Sequence, residues 1–145
     1  MASDTARQLV LDALKQNGAS LFTPLVGADD VDVAVRGSDG QYIEVLVRTP
    51  GEGKPRAFNV ARVRPKPHWF IACVTTENET WLLPSGVFER FSDAGKLDLD
   101  EDDGGEPLSE RLIVYRDRWQ LITDFKKYRS TLTDPVALRM MIAFG

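Results

Sequence analysis

A chain of 145 residues, 43% of them hydrophobic, is long enough for one compact domain with a buried core and too short for two of ordinary size. Its 18 basic and 22 acidic residues give a net charge of -4, which excludes a uniformly basic nucleic-acid binder and leaves only a local basic surface open. The single cysteine, Cys73, excludes an intramolecular disulfide. No secretory core is read near the amino terminus and no run approaches the roughly 18 apolar residues of a membrane span, so the expectation is a cytoplasmic protein with no membrane partner.

Ala6, Leu9, Val10, Ala13 and Leu14 recur at helical spacing and predict a helix over about 3–16, with Ser3 or Asp4 as its cap and Asn17-Gly18 as its stop. Residues 21–26 are apolar but contain Pro24, which suits an edge strand or an extended connection. From Val31 to Thr49 two runs alternate with period two around Gly37-Ser38-Asp39-Gly40, the pattern of a hairpin. In the first run Val31, Val33 and Val35 take one face. In the second, Ile43, Val45 and Val47 lie opposite Tyr42, Glu44, Leu46 and Arg48, so Asp32, Glu44 and Arg48 are expected to share a face.

Residues 50–66 are broken by Gly51, Gly53, Pro55 and Pro65 and are the one strongly basic stretch, with Lys54, Arg56, Arg62, Arg64 and Lys66. Around Phe58 and Val60 a short strand and a helical turn are both open. Trp69 to Thr75 is apolar, aromatic and β-branched, which predicts a buried strand in the middle of the sheet. A polar turn at 77–79 leads to an antiparallel strand from Thr80 to Leu83, and Pro84-Ser85 opens a short helix ending near Ser92.

Residues 93–110 gather Asp98, Asp100, Glu101, Asp102, Asp103 and Glu106 without hydrophobic periodicity, as an acidic mobile loop would. In 111–145, Leu112 to Tyr115 reads as a strand, Leu121 to Tyr128 as a helix, and Asp134-Pro135 as the start of a last helix. The sum is an α/β (α+β) single domain over 1–145, a mixed central sheet with flanking helices.

The leading helix, the strand with Asp32, the strand IEVLVRT, the strand WFIACVTT and then WLLP resemble the core of the PD-(D/E)XK nuclease superfamily, the restriction-endonuclease-like fold, over residues 1–92. That resemblance implies an aspartate on one strand, then an acidic residue and a lysine two positions later on the next. The acids hold Mg²⁺, and the lysine positions the attacking water and stabilises charge at the phosphate. Asp32 matches the first acid. With Arg48 at the lysine position, Leu46 stands where the second acid belongs, and arginine is no simple substitute for lysine there. The motif is degenerate. Glu44 lies on the same face as Leu46, about 6 to 7 Å along the strand, and Asp29 or Asp30 are further carboxylates.

Three readings follow. In the first, a nuclease-like domain with little or no catalysis binds DNA or RNA, through Lys54, Arg56, Arg62, Arg64 and Lys66, or binds a partner protein. In the second, an active endonuclease uses Mg²⁺ on Asp32 and Glu44, with Arg48 at the phosphate. In the third, an accessory module uses these charges only to support the sheet, Asp32 and Arg48 forming a cross-strand ion pair. Two structures are open for the acidic segment: it is a solubilising loop, or it lies over the basic stretch and competes with nucleic acid for it. His68 and Cys73 are expected to be structural, and Trp69, Trp81 and Trp119 to be core or rim aromatics.

Overall fold

The computed structural model describes residues 4–22, 31–36, 40, 42–51, 53–61 and 63–144. The first helix, α1, is Asp4–Gln16, and it buries Ala6, Val10 and Leu14, the i, i+4, i+8 stripe of its sequence. Gly18, at φ 86°, ends it. The expected cap at Ser3, the segment 23–26 with Pro24, Asp29, Asp30, Arg62 and most of the hairpin turn lie outside the described residues.

Five strands make the main sheet: β1 (Leu21–Phe22), β2 (Val33–Arg36), β3 (Tyr42–Arg48), β5 (Trp69–Val74) and β6 (Thr80–Pro84), in the order β1-β2-β3-β5-β6. The hairpin forms in the register Val33 to Val45 and Ala34 to Glu44. β3 and β5 run parallel, with Leu46 beside Ile71 and Arg48 beside Cys73, and β6 returns antiparallel. The middle strand is therefore β3 rather than Trp69–Val74, although every residue of β5 is buried, as its unbroken apolar run predicts.

Two parallel strands require a crossover, and here it spans residues 49–68. It carries β4 (Ala57–Asn59), which pairs with β7 (Lys96–Asp98) in a second small sheet. The basic stretch is thus placed in the crossover, next to the acidic segment. That segment, expected as a loop, is built of β7 and a ribbon of β8 (Asp102–Asp103) and β9 (Glu106–Pro107). Leu97, Leu99 and Leu108 anchor it, all buried between the charges.

Helix α2 (Ser85–Phe91) follows β6 directly. Leu112 to Tyr115 is not a strand: α3 (Leu108–Arg111) runs into a 3-10 turn at Ile113–Tyr115. Leu112, Val114 and Tyr115 are buried while Ile113 is exposed, a spacing that strict alternation cannot satisfy. The helix expected over 121–128 is split into α4 (Gln120–Thr123) and α5 (Phe125–Tyr128), because Asp124 leaves helical geometry at φ -126°, ψ 43°. The last helix, α6, is Pro135–Phe144, and Asp134 Oδ1 accepts the N–H groups of Val136 and Ala137 at its start. The result is an α+β domain with a five-stranded mixed sheet and flanking helices. Among the described residues no helix is long and apolar enough to cross a membrane.

Candidate functional site

Asp32 stands one residue before β2, one rung beyond the Val33 to Val45 pair. Its own N–H donates to Val45 O at 2.8 Å. The backbone ladder stops at this point, and the amide of Val47, a fully buried residue, still needs an acceptor. Asp32 Oδ2 supplies it at 2.7 Å. The other oxygen, Oδ1, accepts Arg7 Nε at 3.1 Å and faces Arg7 Nη2 at 3.1 Å. Arg7 also reaches Asp4 at 3.2 Å. The Asp32 side chain, 13% exposed, is turned along the sheet toward α1 with both oxygens engaged.

Glu44 and Arg48 are half-buried on the face of β3 that also carries Leu46. Glu44 is level with Ala34 and Trp69, and among the described residues it forms no ion pair. Arg48 does not pair with Asp32: its Nη1 donates to Val47 O at 3.1 Å. The expected cross-strand ion pair is replaced by one between strand and helix, because the Val47 amide draws Asp32 out of the face on which Arg48 lies. Beside Arg48, Cys73 is fully buried. Burial pushes its thiol well above the usual range, and the Arg48 charge offsets only part of this.

Mg²⁺ asks for several hard oxygens converging on one point. Here Asp32 has both of its oxygens in use, Leu46 brings none and is only 2% exposed, and Glu44 lies two rungs along the strand. Among the described residues no group of three His, Cys, Asp or Glu side chains is placed to hold a metal ion. The donors among the described residues do not fit the cation that the resemblance implies.

The basic stretch divides in two. Lys54 Nζ reaches Asp98 at 3.4 Å, and Arg56 Nη1 reaches Asp100 at 2.7 Å, so the acidic segment does lie over this part. Arg56 also stacks on Trp81, 5.1 Å from the ring centroid, and Arg116, held by Glu79 at 2.7 Å, lies 5.4 Å from the same ring. By contrast Arg64 and Lys66 are exposed, with Lys66 Nζ 5.9 Å from the Trp69 ring. His68 packs against Phe125 at 4.7 Å, and the three tryptophans are buried.

Arg7 is a site residue that no sequence motif singles out. Its signal was present, since it follows Ala6 at the border of the apolar stripe and can leave the helix toward the sheet. The pairing of 54–56 with 98–100 was visible only as opposite charge.

No protein-family model matches the chain and no curated protein matches its sequence. Among solved structures it is similar to a bacterial homing endonuclease, I-Ssp6803I, with a TM-score of 0.60, 23% identity, and coverage of 83% of this chain and 91% of that one. At this identity the likeness carries the fold, which is nuclease-like.

Proposed function

We propose that this is a domain of the PD-(D/E)XK nuclease type in which catalysis has been lost and binding of a nucleic-acid backbone retained. The observation that carries this reading is the use of Asp32: the carboxylate that a nuclease would turn to a cation completes the sheet through Val47 and ties α1 through Arg7. Leu46 beside it removes the second ligand position. Arg64 and Lys66, exposed in the crossover, support contact with phosphates, which needs cationic donors but no metal.

The test is incubation of the protein with single- and double-stranded DNA and RNA in Mg²⁺ or Mn²⁺, together with binding measured over a salt series. Binding without cleavage, weakening as salt rises, is the expected result. Cleavage that disappears in both Asp32→Ala and Glu44→Ala would instead establish an endonuclease with a displaced glutamate. Absence of binding at low salt would leave the protein-interaction reading.

A further inference from the structure

A cavity of about 300 Å³ lies away from the hairpin, between the 65–67 segment, the start of α2 and α5. Its bed is apolar, made by Pro65, Pro67, Phe125 and Leu132, and Lys66 and Arg129 also line it. No carboxylate is among its described lining residues. Two other cavities mix their charges: one places Glu106 and Asp134 among arginines, and the other gathers Asp93, Glu101, Asp102 and Asp103 round Arg90. The Arg129 side chain forms no hydrogen bond or ion pair with another described residue, and it is exposed. Lys126 and Lys127, exposed on α5, add to the positive field.

We infer that this cavity binds a nucleotide unit, its base in the apolar bed and its phosphate on Arg129 and Lys66. A flat apolar body joined to an anion satisfies both halves of the lining, and contact of a base with apolar walls tolerates any sequence. The volume is at the lower end for small-ligand sites, which suits one nucleotide rather than a dinucleotide. Two sources share this chemistry: a free mononucleotide, and an unpaired nucleotide of a single strand. The inference rests on the nucleic-acid reading above and extends its contact at Arg64 and Lys66 into the cavity, at the end of the crossover opposite Lys54 and Arg56, whose charges hold Asp98 and Asp100.

The experiment is fluorescence anisotropy of a fluorescein-labelled oligothymidylate, with adenosine 5′-monophosphate titrated by calorimetry in parallel. Arg129→Ala is expected to weaken oligonucleotide binding about tenfold and to lower the salt dependence by about one phosphate contact. Thr133→Trp, at an exposed position on the cavity wall, fills the space and is expected to abolish binding while thermal unfolding stays as in the wild type. Lys54→Ala is expected to bind as the wild type does. Calorimetric binding of the mononucleotide, lost in the same variants, identifies the free ligand as a source; binding of the oligonucleotide alone identifies the strand. If the wild type binds and Arg129→Ala and Thr133→Trp bind equally well, the cavity assignment is overturned and the nucleic-acid reading survives. If the wild type binds neither probe, the cavity assignment falls, and binding of duplex DNA and of RNA over the salt series decides the nucleic-acid reading separately.

Discussion

Replacing Asp32 separates a structural carboxylate from a catalytic one. In Asp32→Ala the buried Val47 amide loses its only described acceptor, which costs about 1–3 kcal/mol. The Arg7 contact, with Arg7 38% exposed, adds about 0.2–1 kcal/mol. The expected total is about 1–4 kcal/mol, or a fall of about 3–15 °C in Tm for a domain of this size. Asp32→Asn keeps an acceptor for Val47 and loses only the charge, so its cost is expected to be about 1 kcal/mol. Urea unfolding followed by tryptophan fluorescence, with Arg7→Ala and the double variant completing the cycle, measures each contribution. Equal stability of wild type and Asp32→Ala would refute the argument. So would equal losses in the Ala and Asn variants, since only the acceptor distinguishes them.

Gly95 sits at φ 81° where a Cβ would lie 2.2 Å from Val60 O, so Gly95→Ala is expected to cost about 2–4 kcal/mol in urea unfolding by forcing β4 from β7. Cys73 is buried with a raised thiol pKa, and its stabilising burial as the neutral form is complete below the ordinary thiol pKa of about 8.5. As pH rises above that value the unfolded chain ionises and the folded one does not, so stability is expected to fall by up to about 1.4 kcal/mol per pH unit, a slope that is absent in Cys73→Ala after correction for its lower baseline. Asp98→Asn with Asp100→Asn is expected to cost at most about 1 kcal/mol per ion pair and to raise oligonucleotide affinity through new contacts by Lys54 and Arg56, which in the wild type are held by Asp98 and Asp100 and contribute none. Unchanged anisotropy would show that these two cations do not face the ligand.

The hairpin, the buried run of β5 and the capped last helix were legible because each follows one local rule: alternation, unbroken hydrophobicity, or Asp-Pro at a helix start. The acidic segment was less legible. Leu97 and Leu99 keep a strand's spacing for only one step before Leu108, and of its strands β7 is fixed by a partner about 40 residues away in the crossover while β8 and β9 pair with each other. The division of 121–128 into two helices depends on one residue, Asp124, whose backbone departure no composition rule announces. The centre of the sheet was placed one strand off for a similar reason: β5 is the more hydrophobic strand, but strand order is a matter of pairing, and the edge pairing of β1 on β2, which makes β3 the third of five, is not marked in the sequence.

The site was legible by residue type and not by use. A carboxylate one residue before β2 can be wanted for two reasons that leave the same letter in the sequence: to offer oxygens to a cation, or to substitute for a carbonyl where the ladder runs out. The two uses compete for the same oxygens. What selects between them lies elsewhere, in Arg7 on a helix 25 residues upstream and in the Val47 amide, whose need for an acceptor appears only once the register of β2 on β3 is known. Leu46 completes the argument from the other side. A nonpolar residue in the second ligand position lies beside Ile71 and offers no oxygen that, with a cation, could compete with the Val47 amide for Asp32.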